Sequence, residues 1–239
     1  MHEISTAGEL ASIADGDPLI VWAGQGEVGG RVRAWYAGDA VAVATPELSK
    51  FNRVTVRGPV DDLAPLAQRV LAEAGPGFRL FGEEPLIREL VERIPELSFV
   101  AAFGWMETRV MPARTTTAAW LDGDSGVQEL LDEASPDSFA WPSSPGVLRW
   151  AAVLGEAGEL LSIAADAWSA PEIGFMAGVA TRPSARGQGL SRQVCTFVTA
   201  ELMKRHGQVG LMVHHDNEPA IAVYRKLGYT YRRVAAASV

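Results

Sequence analysis

The chain contains few cysteines and histidines, the residues from which disulfides and many metal sites are built. Its 239 residues include a single cysteine, Cys195. One cysteine excludes an internal disulfide and any cysteine-rich metal site, and the spacing of the histidines does not indicate a closed set of metal ligands. The four histidines are His2, His206, His214 and His215. We therefore expect no bound metal, and we expect Cys195 to pack inside a helix as a small apolar side chain.

The sequence also lacks a long apolar run and an excess of positive charge. No apolar stretch approaches the roughly 18 residues that are needed to cross a membrane. The first residues have neither the basic nor the apolar part of a signal peptide. The formal net charge is −8, which argues against general nucleic-acid binding. We expect a cytoplasmic protein that binds neither membranes nor nucleic acids.

Positive charge is concentrated near the C-terminal end. Residues 182–239 hold nine Lys or Arg and three acids, a net charge of +6, whereas residues 1–181 hold twelve against twenty-six, a net charge of −14. Two interpretations remain open: a run of solvated arginines, or a positive field around a polyanionic ligand. The position of the arginines beside a glycine-rich segment favours the second interpretation.

That glycine-rich segment, Val179–Ser191, is the most informative part of the chain. It reads VATRPSARGQGLS, and it connects a predicted strand, Glu172–Thr181, to a predicted amphipathic helix, Leu190–His206. A glycine turn at a helix N-terminus gathers unpaired N–H groups at the positive end of the helix dipole, and this arrangement binds pyrophosphate. Arg186 and Arg192 add positive charge. Taken alone, the motif is equally consistent with a tight strand-to-helix turn.

A second motif lies downstream in Asp216–Tyr229, which reads DNEPAIAVYRKLGY. Together the two segments resemble the GNAT superfamily of CoA-dependent N-acyltransferases. Arg186–Ser191 matches its Q/R-x-x-G-x-G/A pyrophosphate loop, except that Ser191 stands where the pattern has Gly or Ala. Serine is small enough to keep the loop and the helix close. The downstream matches to its N-x-x-A-x-x-x-Y-x-x-x-G-F/Y tail are Asn217, Pro219, Ala220, Tyr224, Gly228 and Tyr229.

The resemblance implies where acetyl-CoA would bind as the co-substrate. In this family acetyl-CoA lies in a cleft between two strands that splay apart, and the matching strands here are Glu172–Thr181 and Gln208–His215. Backbone groups of the first strand and the Asn217 side chain would bind the pantetheine, and the glycine loop would bind the pyrophosphate. The implied binding residues are Val179, Ala180, Thr181, Arg186, Gly187, Gln188, Gly189, Leu190, Ser191 and Asn217.

The resemblance also implies a reaction, the transfer of an acetyl or other short acyl group to a primary amine. The amine would attack the thioester directly in a ternary complex. Tyr224 would protonate the departing thiolate, because the family places a tyrosine there and a phenol has a pKa near 10. Ile221, Tyr224 and Leu227 share one helical face, so an ordinary core role for Tyr224 is the alternative.

The general base is left unassigned. Glu172, at the predicted start of the first strand, is the first candidate. His214 and His215 end the second strand and point to opposite faces, so only one of them can face the cleft. An ordered water is the remaining alternative.

The acceptor, a peptide or small molecule with an amine, is not identified by the sequence. The family builds the acceptor pocket from a segment that corresponds to Val127–Gly146. Phe139 and Trp141 in this segment either line the pocket or hold the loop to the core. A second class of function is a non-catalytic acyl-CoA sensor or scaffold, and a third is a plain interaction domain. The oligomeric state is not indicated.

The predicted fold class is α/β (α+β) with two domains. Residues 116–239 are predicted to form a GNAT-type domain with a mixed central sheet. Residues 1–115 are predicted to form a smaller mixed α/β domain, interpreted as a degenerate GNAT-like copy because its order of elements is similar although both motifs are missing. Leu19–Trp22 is predicted as a strand, and Ser125 and Gln128 as a capping box that opens a helix over Val127–Ala134.

Overall fold

The computed structural model describes residues 1–112 and 116–239, which form two compact units. Unit 1 consists of Met1–Trp105 and Arg232–Val239, and unit 2 consists of Met106–Tyr231. The last segment of the chain, Arg232–Val239, therefore belongs to the same unit as the first segment. The predicted domain limit at residue 115 lies outside the described residues, and the two predicted domains stay a prediction.

Unit 1 contains four helices and six strands of the N-terminal half together with the end of the chain. Its elements are β1 (His2–Ile4), α1 (Ala7–Ile13), α2 (Pro18–Gly24), β2 (Arg33–Ala37), β3 (Ala40–Leu48), β4 (Phe51–Arg57), α3 (Val60–Ala74), β5 (Phe78–Glu83), α4 (Glu84–Arg93) and β6 (Ser98–Thr108). The last three residues of β6 belong to unit 2.

Unit 2 contains the two motifs. Its further elements are β7 (Ala119–Trp120), α5 (Val127–Ala134), β8 (Val147–Leu154), β9 (Leu160–Ala167), β10 (Gly174–Thr181), α6 (Leu190–His206), β11 (Val209–His214) and α7 (Glu218–Lys226). The final strand, β12 (Thr230–Ser238), begins at the end of unit 2 and continues into unit 1.

The sheet of each unit is mixed, as predicted from the sequence. In unit 1 the strand order is β1-β2-β3-β4-β5-β12-β6, with β4 and β5 parallel and β5 and β12 antiparallel. In unit 2 the order is β11-β10-β9-β8-β7, with β10 and β11 parallel and the other pairs antiparallel. Helix α6 packs across β8, β9 and β10 and buries its apolar side against them.

The segment Leu19–Trp22 is helical, so the predicted strand is wrong. The Asp17 carboxylate accepts hydrogen bonds from the N–H groups of Leu19 (2.9 Å) and Ile20 (3.1 Å), and a proline follows it in the first turn of α2. This is a strong helix start. A short apolar run is compatible with a buried strand or a buried helix, and here the cap decides in favour of the helix.

Helix α5 has the predicted bounds but not the predicted cap. Gly126 occupies the N-cap position with φ 78°, and no side chain caps the helix. A Cβ on Gly126 would lie 3.2 Å from Leu160 Cδ1. The helix therefore begins at a left-handed glycine turn rather than at a Ser125–Gln128 capping box.

Two features are missing from the part of the chain that the structure describes. No helix within residues 1–112 and 116–239 is long and apolar enough to cross a membrane. Within the same ranges, no group of three or more His, Cys, Asp or Glu side chains is placed to hold a metal ion.

Candidate functional site

Strands β10 and β11 of unit 2 start as a parallel pair and then part. The paired residues are Gly174 with Val209, Phe175 with Gly210, and Met176 with Leu211. Beyond Met176, β10 runs on to Thr181 and β11 to His214 without further pairing among the described residues. The two strands thus bound a cleft that opens toward their C-terminal ends.

A bulge in β10 accompanies this separation. The register with β9 shifts by one residue between Ala177 and Ala180, and Gly178 in the bulge has φ 61°. A Cβ on Gly178 would lie 2.6 Å from Cη2 of the buried Trp150 and 3.2 Å from Ala140 Cβ. Only glycine fits this position, both because of its φ and because of these neighbours. An isolated glycine within a predicted strand was the available signal for this bulge.

The bulge determines which backbone groups of β10 face the cleft. The Arg182 N–H donates to the Leu161 carbonyl (2.9 Å), and the Ser162 hydroxyl donates to the Ala180 carbonyl (3.1 Å). Main-chain groups of alternate residues point to opposite strand edges. The backbone groups of Val179 and Thr181 therefore lie at the edge that faces β11, whereas those of Ala180 face β9.

The loop between β10 and α6 presents a run of backbone donors. Gly187 has φ 79°, and Gly189 has φ 76° at the N-cap of α6. The N–H groups of the six residues 187–192 have no hydrogen-bond acceptor within residues 1–112 and 116–239. A Cβ on Gly187 would meet no atom within 4 Å, so its glycine is required by the backbone angle rather than by crowding. Unpaired N–H groups at the start of a helix attract an anion.

The two arginines of the motif are held differently. Arg192 reaches back over the loop, with Nη2 3.8 Å from the position of a Cβ on Gly189. Arg186 instead donates from Nε to the Thr181 carbonyl (3.3 Å) and from Nη2 to the Ala134 carbonyl (3.1 Å). The Arg186 guanidinium is therefore bound to carbonyls at the ends of β10 and α5, although its backbone lies in the loop.

Asn217 lies just beyond β11 and caps α7. Its Oδ1 accepts a hydrogen bond from the Ala220 N–H (3.2 Å), and the side chain is exposed. The asparagine of the motif thus has a local structural role at the end of the second cleft strand. Its predicted contact with pantetheine stays a prediction.

Tyr224 lies on the buried side of α7. It is 6% exposed, and its hydroxyl has no hydrogen-bond partner in the described part of the chain. Its ring centroid lies 5.9 Å from that of Tyr229, whose hydroxyl is paired with Thr199 Oγ1 at 2.8 Å. Burial, and then the nearby Cys195 thiol and Tyr229, raise the pKa of Tyr224 well above the usual value. The phenol is therefore a weaker acid than an ordinary tyrosine, and it stays protonated at neutral pH.

The candidate bases lie at the surface. Strand β10 begins at Gly174, and Glu172 occupies an exposed turn before it, so its predicted place as the first strand residue is wrong. His214 ends β11, and both it and His215 are exposed.

The loop after α5 passes over the bulge. Ala140 is buried beside Gly178, and the Trp141 indole donates from Nε1 to the Ser138 carbonyl at 2.7 Å. This bond supports the interpretation that Trp141 holds the loop in place. Phe139 is half-buried in the same loop.

Comparisons with known proteins agree with this arrangement. The family model of FR47-like proteins matches residues 153–237. A GCN5-related N-acetyltransferase from Kribbella flavida has the same fold with a TM-score of 0.60 at 20% identity, over 95% of this chain and 94% of that protein. A GCN5-related N-acetyltransferase from Sphaerobacter thermophilus gives a TM-score of 0.56 at 16% identity, over 95% and 88%. No curated protein matches the sequence.

The solved structures carry information about the fold alone, because their identity to this chain is low. The family match covers the two motifs, the splayed strands and helices α6 and α7. The predicted mixed sheet of the GNAT type is confirmed. Residues 153–237 of this chain are therefore similar to the FR47-like family, and the fold is that seen in solved GNAT N-acetyltransferases.

Proposed function

We propose that this protein is an N-acetyltransferase that moves an acetyl or other short acyl group from acetyl-CoA to a primary amine. One observation carries the proposal. The splayed strands β10 and β11 open next to the start of α6, where six N–H groups have no partner among the residues that the structure describes. A cleft for an extended arm, with a binding point for a diphosphate at its end, matches the shape and charge of an acyl-CoA.

In this proposal the backbone provides most of the binding. The N–H groups of Gly187–Ser191 bind the pyrophosphate, and Arg192 adds positive charge beside Gly189. The main chain of Val179 and Thr181 pairs with the pantetheine as a neighbouring strand would. Asn217 approaches the same arm from the end of β11. Arg186 would have to leave its two carbonyl partners if its guanidinium is to reach a phosphate.

The reaction needs one proton removed and one supplied. The neutral amine forms a bond to the thioester carbonyl carbon, and the carbon–sulfur bond then breaks with its electron pair on sulfur. In this proposal Tyr224 donates the proton to this thiolate, since its hydroxyl has no other hydrogen-bond partner among residues 1–112 and 116–239. In this proposal the proton lost by the amine passes to water, and no general base is assigned. We propose that this reaction takes place in the cytoplasm, because disulfides are typical of proteins in oxidising compartments and a chain with one cysteine forms no internal disulfide.

The experiment compares Tyr224→Phe with Tyr229→Phe on a panel of amines, with release of free CoA thiol as the readout. The panel includes peptide N-termini, lysine, other amino acids, polyamines and aminoglycosides. Loss of a general acid lowers turnover by about 10²-fold or more, so Tyr224→Phe should reduce kcat to that extent and leave the acetyl-CoA Kd within about twofold. Tyr229→Phe removes an equally buried hydroxyl that is bonded to Thr199, and it should keep kcat. Equal losses in both variants would assign Tyr224 to the core.

A non-catalytic acyl-CoA sensor is the second candidate. The raised pKa of the buried Tyr224 favours it, because a weaker acid is a poorer proton donor to a departing thiolate. A sensor would show a higher melting temperature with acetyl-CoA and release no thiol with any amine of the panel. A protein that gains no stability from acetyl-CoA would contradict both candidates.

A further inference from the structure

Two arginines of unit 1 have no acidic partner in the described part of the chain, in contrast to all the others in that unit. Unit 1 contains ten arginines. Eight of them form ion pairs, and these are Arg31, Arg33, Arg57, Arg69, Arg88, Arg93, Arg232 and Arg233. Arg53 and Arg79 have no carboxylate partner within residues 1–112 and 116–239. Unit 1 contains enough acids to pair with them, yet none lies beside them.

Arg53 is the more buried of the two, at 5% exposure on β4. Its Nε donates to the Leu48 carbonyl (3.0 Å) and its Nη2 to the Ser49 carbonyl (3.4 Å). The Arg53 guanidinium also lies over the Phe81 ring at 4.5 Å from the centroid. These groups stabilise a guanidinium, but they do not neutralise its charge, and a buried charge without a counterion is costly.

Arg79 brings a second positive charge to the same place. It is the register partner of Arg53 in the parallel pair β4–β5, so both side chains project from one face of the sheet. The Arg79 guanidinium is 4.4 Å from the centroid of Phe51, and the Arg53 guanidinium is 5.4 Å from the same centroid. Arg79 is half-buried, and its guanidinium has no hydrogen-bond partner in the described residues. Burial, and then the like charge of Arg79, lower the pKa of Arg53 to about 10.

A neutral donor on the same face is also unpartnered. Thr55 follows Arg53 by two residues on β4 and is fully buried, and its hydroxyl has no hydrogen-bond partner in the described part of the chain. Thr55 is the register partner of Phe81, whose ring lies under the Arg53 guanidinium. Two uncompensated guanidiniums and an unpartnered hydroxyl thus project from one face of the parallel pair β4–β5.

We propose that Arg53 and Arg79 form a binding site for a phosphate group, either inorganic phosphate or the phosphate of a small molecule. A phosphate dianion would neutralise both guanidiniums and accept hydrogen bonds from the donors of Arg79 and the remaining donors of Arg53. The site consists of residues of unit 1, whereas the α6 loop proposed for acyl-CoA belongs to unit 2. The competing interpretation is that Arg53 only fastens the turn between β3 and β4 through its two carbonyl contacts.

The test measures binding of inorganic phosphate to the full chain by calorimetry and by melting temperature, with sodium chloride at matched ionic strength. Arg79→Gln is compared with Arg69→Gln, which removes the same charge from an exposed ion pair with Glu73 on α3. Binding is measured both without CoA and with saturating CoA, since CoA excludes phosphate from the α6 loop but itself carries a phosphate that the proposed site could bind. The comparison between the two variants is valid whether or not CoA binds, so it is independent of the proposed acyltransferase activity.

We expect saturable phosphate binding to the wild type and to Arg69→Gln, and affinity lower by about ten- to a hundred-fold in Arg79→Gln, as for the loss of charged hydrogen bonds. A crystal soaked in tungstate should show the oxyanion at Arg79 and Arg53. Binding that Arg79→Gln leaves unchanged would overturn the proposal, as would a tungstate-soaked crystal with no anion there. Binding of citrate without binding of phosphate would refute the assignment of ligand class.

Discussion

The most direct test of the cleft geometry is the substitution Gly178→Ala. An alanine at φ 61° costs about 1–2 kcal/mol in the left-handed region. Its methyl group would lie 2.6 Å from Trp150 Cη2 and 2.8 Å from Trp150 Cζ3, and overpacking against a buried ring costs about 1–3 kcal/mol more. The free energy of unfolding should therefore fall by about 2–5 kcal/mol. For a protein of this size the melting temperature should fall by roughly 5–15 °C.

Gly158→Ala is the matched control. Gly158 has φ 84°, and a Cβ there would meet no atom within 4 Å. It has the same backbone penalty as Gly178→Ala without the clash, so urea unfolding should show a loss of about 1–2 kcal/mol only. The difference between the two variants measures the packing of Gly178 against Trp150.

A double-mutant cycle tests the cause of that difference. Trp150→Phe removes the ring atoms nearest Gly178, so Gly178→Ala should be less costly in this background by about 1–3 kcal/mol. Gly178→Ala should also weaken acetyl-CoA binding, because the bulge directs Val179 and Thr181 toward the cleft. If Gly178→Ala and Gly158→Ala cost the same, and if Trp150→Phe gives no rescue, the account of the bulge is wrong.

Three further predictions follow from other parts of unit 2. Gly189→Val places a β-branched residue at φ 76° at the start of α6, and calorimetry should show acetyl-CoA affinity reduced by about tenfold or more, as expected when a loop leaves its anion-binding conformation. Burial raises the pKa of Cys195 from 9.0 to about 12, so the unfolded chain loses the thiol proton at a lower pH than the folded protein does. The stability contributed by the protonated thiol is therefore complete below pH 9 and is lost as the pH rises toward 12. In urea unfolding, the free energy of unfolding of the wild type should fall by about 2 kcal/mol more than that of Cys195→Ala between pH 8 and about pH 10.5. Asp166→Asn removes the charge of the fully buried partner of Arg149. Since Arg149 is partly exposed, we expect the free energy of unfolding to fall by about 1–3 kcal/mol. The control Asp137→Asn, at an exposed position, should lower it by less than about 0.5 kcal/mol.

The sequence predicted well where one local signal determined the structure. The loop and helix Leu190–His206 followed from glycine spacing and apolar periodicity, and the structure has the same bounds. Helix α5 also has its predicted bounds, although a glycine turn replaces the predicted cap. The strand prediction for Leu19–Trp22 failed because a four-residue apolar run has no period, and the Asp17 cap that decides its conformation lies just outside it.

The rest depends on contacts between residues far apart in sequence. Nothing local to Gly178 shows that Trp150 and Ala140 pack against it, so the contacts that hold the bulge were not predictable. The separation of the strands was expected only from the resemblance to the family. The orientation of Arg186 toward Ala134 is likewise a tertiary contact. The uncompensated pair Arg53 and Arg79 becomes visible only when β4 and β5 are placed side by side.

The membership of β12 in unit 1 has a consequence for biosynthesis. Residues Val234–Ala237 pair with Leu80–Glu83 of β5, and β12 lies between β5 and β6 in the strand order. A ribosome adds about 5–20 residues per second, so the 126 residues of Met106–Tyr231 take roughly 6–25 s to translate at that rate. During this interval the nascent N-terminal sheet has a gap with open edges on both sides. We therefore expect the nascent chain to bind chaperones early, and we expect its folding to be sensitive to any ribosomal pause before Arg232.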